Sequence, residues 1–178
     1  RQTGSSFKPY VYATAMEQGF TPDSVISDGP IDWGGWTPKN YTRGYSGSMT
    51  LTTALVKSIN TVPVRLAMDH LGIEPIRETA RKMGVESPLS EHKTMVLGIS
   101  GMTVMDQATG YSVFAEGGMT GLRHGITQIT THAGDVVFDY AVDGPKPKRV
   151  LSEQAVKAMN DMMVLVPEIG TARRAALP

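Results

Sequence analysis

The 178-residue sequence contains no cysteine. That absence excludes disulfide frameworks, thiolate zinc sites and cysteine nucleophiles, while leaving the redox compartment open. Net charge is missing too. Seventeen Lys and Arg balance seventeen Asp and Glu, so no overall field draws the chain to nucleic acid or to an acidic membrane surface. No apolar run approaches the ~18 residues that span a bilayer, and the first residues do not read as a signal peptide. Histidine is scarce: His70, His92, His124 and His132 show neither i, i+4 pairing nor H-E-x-x-H, so no metal is expected. Phosphate-cradling loops of the G-x-G-x-x-G and Walker types are absent. Gly98-Ile99-Ser100-Gly101-Met102 fails G-x-S-x-G at its last position, and nothing marks a His/Asp partner for Ser100.

What is present suits one domain with a real core: 40% apolar residues, 19% charged, and glycine and proline scattered rather than clustered. Phe7 to Gln18 reads as a helix with Ser5 or Ser6 as N-cap, Pro9 in the first turn and Gly19 as stop. Thr21 to Ser48 carries so many Gly and Pro breakers that it reads as one long surface loop, ordered by Trp33, Trp36, Tyr41 and Tyr45. Those aromatics either pin the loop to the body or face a substrate. Short helices follow over Thr50–Lys57, Val62–His70 and Pro75–Met83. Thr103 and Asp106 form a capping-box-like start for a helix to Glu116. Ile126–Thr131 and Val136–Tyr140 flank Ala133-Gly134-Asp135 as a hairpin. Ser152 caps a last helix through about Val164, with Pro167 ending it. The expected fold class is mostly α with a small β-hairpin.

The remaining chemistry is a serine–lysine pattern. Ser5-Ser6-Phe7-Lys8 is S-x-x-K at a helix N-terminus, and a spacing of three sets both side chains on one face. A serine hydroxyl is a poor nucleophile until a neighbour takes its proton, and a lysine can do so only where its neutral form is favoured. The helix start adds positive potential and free N–H groups suited to an oxyanion. With twelve Ser and eight Lys, about 0.5 such matches arise by chance. Ser90-Glu91-His92-Lys93 is a second match, but it follows Pro88 and opens no helix. Ser58-Ile59-Asn60, the sole S-x-N, lies between two short helices and offers a second hydroxyl and a carboxamide, or simply caps.

The blocks around these residues carry a resemblance. Arg1-Gln2-Thr3-Gly4-Ser5-Ser6-Phe7-Lys8-Pro9 resembles the R-Q-P-G-S-[ST]-F-K-P block of bifunctional class A (PBP1A-type) penicillin-binding proteins. Ala54 to Thr61 is similar to their A-L-x-x-S-x-N-T block. Leu97-Gly98 through Tyr111 to Ala115-Glu116-Gly117-Gly118, and Ile169 to Ala175, resemble two further segments in register. Thr3, Glu116 and Ala172 replace the family's usual Pro, Asn and Gly.

The resemblance implies the helical portion of the α+β penicillin-binding/serine β-lactamase-like transpeptidase fold, with most of the central antiparallel sheet absent. Residues 1–178 are expected to be a partial transpeptidase domain, from S-x-x-K to just before K-[TS]-G. Lys93-Thr94-Met95 lacks the glycine of that third motif. The family's glycosyltransferase domain and membrane anchor are not in the sequence. By resemblance, the activity is D,D-transpeptidation: Ser5 the nucleophile, Lys8 its base, Ser58 the proton relay to the leaving group, and Asn60 the ligand of the substrate amide that also holds Lys8. The implied partners are the D-Ala-D-Ala stem pentapeptide, an acceptor stem peptide and β-lactams. No cofactor or metal is implied, and the implied place is the periplasmic side of the bacterial inner membrane. Without the third motif, the isolated chain is expected to turn over little substrate. A serine β-lactamase or D,D-carboxypeptidase, and a non-catalytic scaffold domain, are the alternatives.

Overall fold

The computed structural model describes residues 1–42 and 44–175. The chain enters through a single 3-10 turn, Gly4–Phe7, that runs directly into α1 (Lys8–Glu17). Every residue of α1 from Lys8 to Met16 is buried, because α2, α3, α4 and α7 surround it. A helix apolar all round belongs in a core, and α1 is the axle of this one.

Helical backbone therefore begins earlier than the sequence suggests, at Gly4, with Ser5 and Ser6 inside the turn. Neither Ser5 nor Ser6 caps it: the Ser6 hydroxyl turns back to the Thr3 carbonyl, and α1 has no side-chain cap. Pro9 does sit in the first turn, where its missing N–H costs nothing.

The long loop carries structure that its breakers conceal. β1 (Val25–Ser27) pairs antiparallel with β2 (Ser48–Thr50), with Ile26 and Met49 both buried. Three residues per strand, far apart in the chain, leave too short an alternation to read, so the described residues hold two small antiparallel pairs rather than one. Between the strands, Arg65 donates to the carbonyls of Ser27, Gly29 and Pro30, and Lys93 donates to those of Trp33 and Gly34. Trp33 and Trp36 pack on the core, whereas Tyr41 is 98% exposed. The aromatics thus divide between anchoring and display.

From Thr50, which caps α2 (Leu51–Val56), the helices follow the sequence closely. α3 (Thr61–Leu66) relaxes into a π turn (Ala67–Leu71), and α4 (Ile73–Lys82) buries Ile76, Arg77 and Ala80. Thr103 caps α5 (Val104–Ala115) by accepting from Asp106 N at 3.0 Å. The capping box stays half-made. The Asp106 carboxylate takes hydrogen bonds from Ser87 and Arg123 instead. Burial alone would raise that carboxyl, but side-chain hydrogen bonds from Ser87, Thr103 and Arg123 outweigh it and hold it at about 2.

β3 (Gln128–Thr130) and β4 (Val136–Asp139) form the expected hairpin, followed by one unexpected turn, α6 (Tyr140–Asp143), capped by Asp139. Ser152 caps α7 (Glu153–Ile169) as expected, but Pro167 does not end it. A proline here forfeits one bond near the helix end, and the next turn compensates. Gly170 and Ala172 donate to the Val166 carbonyl, and Thr171 N reaches the Val56 carbonyl of α2. Ala155, Val156, Met159 and Met162 give α7 a buried stripe at helical spacing. Through that stripe it packs on α1 and α2.

Candidate active site

Two backbone peculiarities place the reactive groups. The first lies before α1. Residues 1–4 run beside 98–102: Gly4 N donates to the Gly98 carbonyl at 3.0 Å, and Arg1 and Met102 exchange hydrogen bonds. The approach is so close that a Cβ on Gly98, itself at φ +75°, would lie 2.1 Å from Gly4 O. Only glycine fits there. On the other side, Tyr111 Oη and Gln107 Nε2 of α5 both donate to the Ser6 carbonyl, at 2.7 and 2.9 Å. Phe7 is fully buried and anchors the turn from below. The Ser5 side chain is left exposed on a fixed backbone.

The second peculiarity is Ser58. It sits one residue past the Lys57 C-cap of α2 with φ +53°, the one non-glycine residue at positive φ among those described. Ile59 N donates to the Ala54 carbonyl and Ser58 N to that of Leu55, both at 2.9 Å. These are the paired bonds of a Schellman motif, in which the left-handed position is usually glycine. A serine there costs on the order of 1 kcal/mol in strain. The strain aims its hydroxyl back toward α1.

There the groups meet. Ser58 Oγ donates to Ser5 Oγ at 3.1 Å, linking residues 53 apart in sequence. Lys8 Nζ donates to Ser58 O at 2.7 Å, to Ser58 Oγ at 3.0 Å and to Asn60 Oδ1 at 2.8 Å. Those bonds use all three donors of an ammonium, so Ser5 communicates with Lys8 through Ser58 rather than directly. Lys8 is 1% exposed, and burial pushes its ammonium down to about 8. A cavity of about 500 Å³ opens over Ser5, Lys8 and Ser58, walled by Tyr111, Met163 and Val166. A second cleft of about 490 Å³, also touching Ser5 and Ser58, is bordered by Asn40, Tyr41, Lys57 and Asn60. A larger cavity, about 780 Å³ beside α5 and Tyr140, contains none of these groups.

All four candidate residues thus converge: Ser5, Lys8, Ser58 and Asn60 form one hydrogen-bonded chain. The second S-x-x-K string does not join it. Ser90 Oγ accepts from His92 N, and Lys93 is spent on the carbonyls of Trp33 and Gly34. Sequence reasoning missed the residues behind Asn60. Its Nδ2 donates to Lys39 O at 2.8 Å, and Asn40 Oδ1 accepts from Asn60 N and Thr61 N. Nothing local in the breaker-rich loop distinguishes Asn40 from an ordinary turn residue.

The chain matches the penicillin-binding protein transpeptidase domain over residues 1–177. It is 36% identical over 186 residues to penicillin-binding protein 1A of Neisseria gonorrhoeae, covering 99% of this chain and 23% of that protein. Its structure resembles that of penicillin-binding protein 1A from Haemophilus influenzae, with a TM-score of 0.86 and 25% identity over 98% of this chain and 32% of the other. It is similar as well to PonA1 from Mycobacterium tuberculosis in complex with penicillin V, with a TM-score of 0.84 and 25% identity over 92% of this chain and 46% of that one. The chain spans about a quarter of the length of the first of these relatives. A domain match along essentially its whole length, with identity of this level, means that the chain belongs to the penicillin-binding protein transpeptidase family.

Proposed function

We propose that this chain carries the acyl-transfer centre of a D,D-transpeptidase that cross-links peptidoglycan. The hydrogen-bonded run Ser5–Ser58–Lys8 at the mouth of a cavity carries the reading, because it supplies a nucleophile, a relay and a base in contact. Ser5 Oγ attacks the carbonyl carbon of the penultimate D-Ala. Its proton passes to Ser58 Oγ as the Ser58 proton passes to neutral Lys8. With Lys8 at about 8, about one molecule in ten holds it neutral at pH 7, against about one in three thousand at the ordinary 10.5.

The positive end of the helix at Ser5 favours the charge that develops on the carbonyl oxygen. As the C–N bond breaks, the proton returns through Ser58 to the departing D-Ala amine, leaving an ester on Ser5. An acceptor stem-peptide amine then attacks the ester, the C–O bond breaks, and Ser5 regains its proton. Asn60 holds Lys8 through Oδ1 and offers its carboxamide to the substrate amide. A β-lactam presents a strained amide to the same serine, and the penicillin V complex of the PonA1 relative supports that use. The penicillin-binding protein 1A relatives support a place on the periplasmic side of the bacterial inner membrane.

The test is intact-mass spectrometry after incubation with benzylpenicillin, on this chain and on the natural protein that carries it, with Ser5→Ala beside each. A penicilloyl adduct on wild type and none on Ser5→Ala is the expected result. An unlabelled natural protein, or an adduct that survives Ser5→Ala, overturns the assignment. Rapid hydrolysis of the adduct would replace a transpeptidase with a β-lactamase or carboxypeptidase.

A further inference from the structure

The α3 N-terminus presents a problem that the loop solves. The first N–H groups of a helix need acceptors, usually a side chain at the N-cap. Asn60 occupies that position but makes no capping bond, because its carboxamide is turned toward Lys8. Ser58 is unavailable for the same reason. The acceptor comes instead from 20 residues upstream: Asn40 Oδ1 takes Asn60 N at 2.9 Å and Thr61 N at 3.3 Å.

Asn40 is itself oriented. Its Nδ2 donates to Asp28 Oδ1 at 2.6 Å, which fixes which end of the amide faces α3. Asp28 is 1% exposed and also accepts from the Thr61 hydroxyl and from Ser46 N. One residue before Asn40, the Lys39 carbonyl takes Asn60 Nδ2 and so fixes the second amide, with its oxygen toward Lys8. Pro38 is buried immediately before them. By orienting Asn40, which takes the Asn60 and Thr61 N–H groups, this buried carboxylate does more than fasten a loop.

We propose that Asp28 and Asn40 are positioning residues that hold the Asn60 carboxamide against Lys8 and thereby set how fast Ser5 is acylated. This rests on the acyl-transfer reading above. Freed from Asn40, the N–H groups of Asn60 and Thr61 would need other acceptors, and the Ser58 and Asn60 side chains belong to the same turn. Either capture would take an acceptor from Lys8. The loop spares the reactive groups from capping duty by capping for them.

The experiment uses the natural protein carrying this chain. It measures acylation by a fluorescent penicillin, with binding and bond formation separated by concentration dependence, and amide hydrogen exchange at Asn60 and Thr61. Asn40→Ala is expected to slow bond formation about 10- to 100-fold, as loss of an outer-shell partner typically does, with penicillin binding little changed. Exchange at Asn60 and Thr61 should become fast. Asn40→Asp sets two carboxylates face to face and should be at least as slow. Adding Asp28→Asn to it restores a donor between the two positions and should recover most of the rate, which a variant that merely unfolds the loop could not do.

Lys93→Ala is the control, since it releases the same loop at Trp33 and Gly34 without touching Asn40. Equal slowing in Lys93→Ala, a wild-type rate in Asn40→Ala, or no recovery in the double exchange overturns the proposal. An unlabelled wild type would instead overturn the acyl-transfer reading. The exchange rates at Asn60 and Thr61 then still decide whether Asn40 holds this turn, and protection unchanged in Asn40→Ala overturns that too.

Discussion

Two stretches of this chain share the pattern S-x-x-K, and they come to opposite ends. In Ser5–Lys8 the pattern spans a 3-10 turn and the first residue of a helix that is buried from Lys8 to Met16. The lysine is buried in the core, and its ammonium donates to Ser58 and Asn60. In Ser90–Lys93 the serine closes a local turn with His92 N, and the lysine reaches across to two loop carbonyls. Spacing is identical, so spacing is not what makes a site. What sets the first string apart is the burial of Lys8, together with a third group delivered from elsewhere in the chain. Near the second string, the carboxylate that the fold perturbs is a fastener: Asp106 holds Ser87 and Arg123 and faces no serine nucleophile.

Substituting the two lysines breaks the comparison most sharply. Lys8→Ala is expected to slow penicillin acylation by about 10³-fold, within the range for loss of a general base. Lys93→Ala should stay within about threefold of wild type, as a surface-type loss does. Comparable losses would mean that the second string contributes to the reaction.

Ser58→Gly separates strain from function. It relieves the left-handed serine and should raise stability by about 1 kcal/mol, roughly 2–4 °C in Tm for a chain of this size. It also removes the hydroxyl proposed as the relay and should cost about 10²-fold in acylation rate. A stabilised variant at full rate would show that the relay is dispensable.

Asp106 sharpens the structural side. Its carboxyl, held at about 2 against an ordinary 3.8, contributes about 2 kcal/mol of stability at neutral pH. Because the folded value is the lower one, that contribution is complete above pH 4 and is lost as pH falls toward 2. Acid titration of wild type and Asp106→Asn should show the gap between them closing over that window. A gap independent of pH would mean that packing, not ionisation, is what Asp106 supplies.

The smallest effect is the pH profile of acylation. In the proposed mechanism Lys8 must be neutral to accept a proton, so the rate should rise about tenfold between pH 7 and 9, with a midpoint about 8. A midpoint near 10.5 would place Lys8 in water, as an exposed lysine is.

Several elements were legible because their causes are local. Thr103 and Ser152 each cap a helix by a bond to the residue three positions on, and Gly134 turns a hairpin between adjacent strands. The S-x-x-K and S-x-N motifs are local as well, and both resemblance and spacing singled them out. Where local signals compete with distant ones, the reading slipped. Ser5 was placed as an N-cap, but residues 1–4 pair with 98–102 and the helical turn already begins at Gly4, so Ser5 lies inside it. Pro167 had every mark of a stop, but α7 is held past it by α2.

The sequence by itself determined the chemical inventory: two hydroxyls, an amine and a carboxamide at spacings that mark the family, on helices whose caps are written beside them. Tertiary structure alone decided that Ser58 would stand between Ser5 and Lys8, that Lys8 would lose its water, and that Asn40 would cap a helix 20 residues away. The division has a physical cause. A cap or a turn is settled within one hydrogen-bond reach along the chain. Desolvation and the meeting of residues 53 apart depend on what every other segment leaves uncovered.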